Sequence, residues 1–223
     1  MLRGLFITGT DTNVGKTVVA AAIMHRYRTI APLRYWKPIQ TGIEQDNDTA
    51  VVRELGACTE TEVLDEGVRL RHPVAPYLAA RWSGTDIRLP ELGALAMAEP
   101  EDRLWIVEGA GGVFVPVSAS AMMIDWMVHL SLPVLVVARS ALGTINHTLL
   151  TLEALGRRNL DVAGVVMTGE KNRENRAAIE EFGNVQVLGE MPNLSPLSSE
   201  KVREWAQSEL DPSGMLIASF RSQ

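Results

Sequence analysis

The chain has 223 residues, 46% of them hydrophobic and 22% charged, the composition of an ordinary soluble globular protein and not of a fibre or a disordered tail. A formal net charge of −6 with no Lys/Arg cluster offers no field for a nucleic-acid backbone, and no apolar run approaches the roughly 18 residues of a membrane span. Cys58 is the only cysteine, which excludes a disulfide framework and a cysteine-rich zinc cluster.

Leu5 to Thr8 is an apolar run that reads as a buried parallel strand, and Lys16 to Arg28 reads as the helix after it. A second strand is predicted over Arg34 to Lys37, where the following Pro38 keeps Lys37 extended, and a polar turn over Ile39 to Gly42 comes next. Asp46 to Thr49 precede an apolar-periodic stretch, which predicts a capped helix ending near Gly56, with Asp46 in a capping role. Residues 59 to 88 carry no clear period, and any helix near Pro73 and Pro76 is short or begins after the second proline.

Further helices are predicted over Pro90 to Glu99, Met122 to Leu130, Gly143 to Arg157, Glu174 to Phe182 and Ser198 to Ser208. Between them lie strands at Leu104 to Val107, Pro133 to Ala138, Val162 to Met167 and Val185 to Leu188. Six apolar strands alternating with helices predict one α/β domain over 1–223, a parallel sheet covered by helices on both faces. Ligands of such sheets bind at the carboxyl ends of the strands. That rule gathers Thr10 to Thr17, Lys37 to Thr41, Glu108 to Gly112 and Ser140 to Asn146 onto one edge.

The most informative stretch on that edge is GTDTNVGKT, Gly9 to Thr17, a glycine-bearing turn between a strand and a helix. It reads as a phosphate-binding loop of the P-loop NTPase type, longer by one residue than the common G-x-x-x-x-G-K-[ST] pattern. Backbone N–H groups around Thr12, Asn13, Val14 and Gly15 can surround an anion, Lys16 can reach the outer phosphates of ATP, and the Thr17 hydroxyl can ligate Mg²⁺. A carboxylate is needed across the sheet, and Glu108 ends an apolar strand there, followed by Gly109, Ala110 and Gly111. Asp48 stands in the first turn of its helix, where it serves either the helix dipole or the metal. Lys37 brings a second cation to the phosphate edge, suited to stabilising a transferring phosphoryl group.

Four segments together resemble a known family, the dethiobiotin synthetases: GTDTNVGKT at 9–17, KPIQTG at 37–42, VEGAGG at 107–112 and LGTINHTLLTLEAL at 142–155. The resemblance implies an ATP-dependent ligase acting on 7,8-diaminononanoate and CO₂ by way of a carbamate and a carbamic-phosphoric anhydride. It implies that Lys37 and Lys16 are catalytic and that Thr17, Asp48 and Glu108 surround Mg²⁺. It also implies that Thr12 contacts phosphate, that Thr41 meets the amine or carbamate end, and that the substrate carboxylate sits at Gly143, Thr144, Ile145 and Asn146 of a second subunit in a homodimer. Pro192, Asn193 and Leu194 resemble the family's adenine-side loop. Where the family commonly has an Asn after the strand at 162–167, this chain has Thr168, Gly169 and Glu170, leaving backbone groups or Asn172 for the base.

Two neighbouring classes fit less well. A cobyrinate-diamide-synthetase-like amidoligase usually adds a glutaminase domain with a nucleophilic cysteine, and Cys58 has no such context. A partitioning or septum-site switch ATPase of the ParA and MinD type carries a lysine five positions before the main one, where this chain has Asp11. The expected location is the cytoplasm, because the N-terminal run leads straight into the phosphate loop and leaves no removable leader.

Overall fold

A computed structural model describes residues 2–98 and 102–221. The chain runs β1 (Gly4–Gly9), α1 (Lys16–Tyr27), β2 (Leu33–Trp36), β3 (Ile39–Thr41), α2 (Asp48–Leu55), β4 (Val63–Leu64), β5 (Val68–Leu70), α3 (Pro76–Trp82) and α4 (Leu89–Met97). It continues with β6 (Leu104–Gly112), α5 (Met123–Leu130), β7 (Val134–Arg139), α6 (Thr144–Gly156), β8 (Val162–Thr168), α7 (Arg173–Gly183), β9 (Val187–Met191), α8 (Ser199–Ser208) and α9 (Met215–Arg221).

One seven-stranded sheet has the order β4-β2-β6-β1-β7-β8-β9, and each of its strand pairs is parallel. Successive side chains of a strand point to opposite faces, so a parallel sheet needs cover on both. On one face Leu5, Ile7, Tyr35 and Ile106 pack under α1, α2, α8 and α9. On the other, Phe6, Trp36, Trp105 and Val107 pack under α3 to α7, with Trp36 edge-on to both Trp105 and Trp126. The chain leaves β1 toward β2 on one side and returns through β6 to β7 on the other. The strand order therefore reverses beside β1, where a crevice opens at the carboxyl ends.

The six predicted strands are all present, as is each predicted helix, with shifted ends: the strand predicted at 185–188 is Val187–Met191, and the predicted helix end at Glu99 lies outside the described residues. The seventh strand of the sheet, β4, has two residues, and β3 and β5 form a separate small sheet of three residues each. Segments this short show no hydrophobic period, so the turn expected after Pro38 is a brief strand instead. The helix α9 also went unread. It is tied down by Asp211, whose carboxylate accepts hydrogen bonds from Tyr27 Oη (2.6 Å) and from the backbone of Met215 and Leu216.

Candidate active site

The phosphate loop spans the six residues between β1 and α1, Thr10 to Gly15, and closes on Gly15, which takes φ 89°, a left-handed turn that an L side chain resists. A Cβ on Gly15 would also come within 3.2 Å of Thr168. The turn points the amino end of α1 at the crevice, and Lys16 folds back to donate a hydrogen bond to the carbonyl of Asp11 at 2.9 Å. Lys16 is 6% exposed. Burial, with the neighbouring Lys37 charge adding to it, lowers its pKa to about 8.

Four charged or polar side chains from distant parts of the chain meet opposite this loop. Lys37, 4% exposed, follows β2 and lies 2.7 Å from Glu108 Oε1 while also pairing with Asp48 Oδ2. Glu108, wholly buried in β6, accepts a second hydrogen bond from Tyr35 Oη at 2.8 Å on its other oxygen. Thr17 Oγ1 lies 2.8 Å from Asp48 Oδ1 and 3.0 Å from Glu108 Oε1. Burial alone would lower the Lys37 pKa, but Glu108 and then Asp48 outweigh it and raise the value, keeping the ammonium charged. Burial likewise works against the Asp48 carboxylate, and Lys37 and Thr17 overcome it to hold the pKa below the usual range.

Asp48 is where it is because α2 starts at it, and the start is defined by Asn47, whose side chain accepts a hydrogen bond from the Ala50 N–H. That corrects the capping role expected of Asp46, which lines the crevice instead. Lys16 and Lys37 are met by Asp48, Glu108 and the exposed Asp46, so the lining holds no excess of positive charge and a polyphosphate entering here brings uncompensated negative charge. Among the described residues no three His, Cys, Asp or Glu cluster as a metal site. The oxygens of Thr17, Asp48 and Glu108 are nonetheless hard donors of the kind Mg²⁺ takes alongside phosphate and water, so the donor set fits that ion.

The crevice has a volume of about 680 Å³. Of the residues singled out from the sequence, Thr12, Asn13, Gly15, Lys16, Thr17 and Lys37 line it, as do Thr41, Asp48, Glu108, Ala110 and Gly111. Val14 turns into the core, although its carbonyl accepts a hydrogen bond from Thr168 Oγ1 at 2.8 Å. Gly109 is buried against Phe6, whose ring a Cβ would strike at 2.9 Å.

A second cavity of about 490 Å³ adjoins the first at Asn13 and is lined by Asn193, Thr168 and Asn172 among others. Pro192 and Leu194 line neither cavity, Leu194 packing against the core. Gly143, Thr144, Ile145 and Asn146 also line neither; Thr144 is buried while Gly143 and Asn146 face solvent. The sequence reading missed Tyr35, Gln45 and the wall formed by Val74 to Pro76. Nothing in a lone strand tells which neighbour its tyrosine will meet.

Fold and loop together define a P-loop nucleotide-binding α/β protein. Residues 3–201 match the family model described as an AAA domain. The chain is 47% identical to the ATP-dependent dethiobiotin synthetase BioD of Paramagnetospirillum magneticum, over 90% of this chain and 93% of that protein. It is 40% identical to the BioD of Brucella melitensis, over 89% and 90% respectively. The chain belongs to the ATP-dependent dethiobiotin synthetases, a ligase family of biotin biosynthesis. A solved structure of the septum site-determining protein MinD from Pyrococcus horikoshii matches with a TM-score of 0.58 at 15% identity, covering 100% of this chain and 96% of the other. That likeness extends to the fold alone.

Proposed function

We propose that the chain closes the ureido ring of dethiobiotin from 7,8-diaminononanoate, CO₂ and ATP, releasing ADP and phosphate. The observation that carries the reading is Lys37, buried and held between Glu108 and Asp48 opposite Lys16. Its ammonium lies where a carbamate and a γ-phosphate would meet, and in a dry site such a charge acts strongly.

One amine adds to CO₂ and loses a proton, giving a carbamate. A carbamate oxygen attacks the γ-phosphorus, the bond to ADP breaks, and a carbamic-phosphoric anhydride results. The second amine then attacks the carbamoyl carbon, the C–O bond to phosphate breaks, and the ring closes with release of phosphate. Lys16 and Lys37 neutralise charge on the transferring group, and the walls of the crevice hold amine and phosphate in line. Thr17, Asp48 and Glu108 would hold Mg²⁺, which supplies neutralisation of phosphate oxygens when bound.

Thr12, Asn13, Val14 and Gly15 contribute backbone donors to the phosphates, with Gly109, Ala110 and Gly111 on the facing wall. Thr41 meets the amine end. Pro192, Asn193 and Leu194 border the base in the second cavity. We assign Gly143 to Asn146 to the substrate carboxylate of a second copy's site, since a helix amino end suits a carboxylate and these residues line neither cavity of their own chain. This makes the protein a homodimer with shared sites. The chain acts as one domain over 1–223, a reading supported by the seven-stranded sheet that draws on strands from β1 to β9. Among the described residues no helix is long and apolar enough to cross a membrane, in keeping with work in the cytoplasm.

The test is phosphate release from MgATP, with diaminononanoate and bicarbonate each omitted in turn and the organic product weighed by mass spectrometry. Release that requires both, with a product heavier by CO₂ less water, is expected. Release indifferent to both would overturn the ligase reading in favour of a switch ATPase.

A further inference from the structure

Glu108 has to be held in one orientation to serve Lys37 and Thr17 at once, and the terminal torsion of a glutamate is broad. Its Oε1 lies 2.7 Å from Lys37 Nζ and 3.0 Å from Thr17 Oγ1. Its Oε2 has one hydrogen bond, 2.8 Å from Tyr35 Oη. Both side chains are fully buried, so water does not take over this contact.

The geometry is built into the sheet. Tyr35 pairs in register with Ile106 on the neighbouring strand, and Glu108 is two residues on, facing the same side. The tyrosine therefore rises beneath the carboxylate on the face covered by α1, the helix that carries Thr17. It lines neither cavity.

We propose that Tyr35 is a positioning residue that pins Oε2 of Glu108 so that Oε1 faces Thr17 and Lys37, and that it thereby sets how strongly Mg²⁺ and nucleotide bind together. The proposal rests on the reading of Glu108 as a metal ligand. Without the phenol, a buried carboxylate oxygen loses its partner and the carboxylate is free to turn away from Thr17. Partners that orient a ligand commonly change metal affinity by about 10- to 100-fold when removed.

The experiment is calorimetric titration of ADP into the full chain, with saturating Mg²⁺ and with EDTA. The ratio of the two affinities measures the coupling. Tyr35→Phe is expected to reduce that ratio about ten-fold while leaving the Mg²⁺-free affinity within about two-fold. In turnover assays it should raise the Mg²⁺ concentration for half-maximal rate, with kcat largely recovered at high Mg²⁺. p-Aminophenylalanine at position 35, which restores a donor, should recover the ratio, and p-fluorophenylalanine should not. That pair decides the matter if Tyr35→Phe does not fold. An unchanged ratio in the variants lacking a donor, with Glu108→Gln collapsing it, would reduce Tyr35 to packing and leave the metal reading standing. An unchanged ratio in Glu108→Gln as well would overturn both.

Discussion

The crevice over the phosphate loop is walled by the ends of β1, β2 and β6 and buries its charges, whereas the adjoining cavity is walled by the loops after β7, β8 and β9 and leaves its charges in solvent. Lys37 and Glu108 are 4% and 0% exposed; the Arg139 and Asp11 side chains, which pair beside the second cavity, are 44% and 51% exposed. In the first place each charge has given up water and depends on its partner, so every member is costly to remove. In the second, water replaces whatever is lost. On the proposed function, this contrast predicts steep discrimination at the reacting end of the substrates and gentle discrimination at the nucleotide base.

The largest effect should come from Lys37→Ala. It removes the charge at the proposed reacting centre and leaves Glu108 and Asp48 without the counter-ion they share. Turnover should fall by about 10²- to 10³-fold, and stability by about 3 kcal/mol, measured by steady-state rate and by a denaturant midpoint. Near-normal turnover in this variant would place the chemistry elsewhere.

A subtler test follows from Lys16. Its pKa is lowered to about 8 from an ordinary 10.5, so the unfolded chain keeps the proton to higher pH than the folded one. The cost of burying the ammonium is fully present below pH 8 and is relieved as pH rises from about 8 toward 10.5, over which range this group makes the free protein more stable. A bound phosphate favours the charged form. Nucleotide binding near pH 8 should therefore take up protons, seen as a binding enthalpy that changes with the ionisation enthalpy of the buffer. No buffer dependence would mean that Lys16 is already fully charged in the free protein.

The smallest effects are expected in the second cavity. Arg139→Ala should change stability by less than about 1 kcal/mol, since its pairing with Asp11 is solvent-exposed. Asn193→Ala should alter the KM for ATP by only about two- to five-fold, a shift of at most about 1 kcal/mol by the tenfold-per-1.4 relation. A loss of 100-fold at either position would erase the distinction between the two cavities.

Legibility in the sequence followed the same division. About half of the residues that line the crevice, Lys16, Lys37 and Glu108 among them, stand in the compact runs 9–17, 37–42 and 107–112, whose chemistry is visible one segment at a time. The second cavity draws on residues 139–142, 168–172 and 193, loop positions with ordinary polar side chains, and Thr168 spends its hydroxyl on the carbonyl of Val14. Asp48 was legible as a carboxylate at a helix start but not as the partner of Lys37, because Asp46 was an equally good cap until Asn47 took that place.

Local chemistry in the sequence by itself determined the strand, turn and helix around the phosphate loop, since a glycine with positive φ and a following helical run are settled within about ten residues. It also determined the alternation of buried strands and helices, because burial on two faces demands continuous apolar runs. Only the tertiary structure decided that β6 lies between β2 and β1, and hence that Tyr35 and Lys37 reach Glu108 across more than seventy residues of chain. Strand neighbours are chosen by packing and crossover handedness across the whole sheet, and no single strand carries that information.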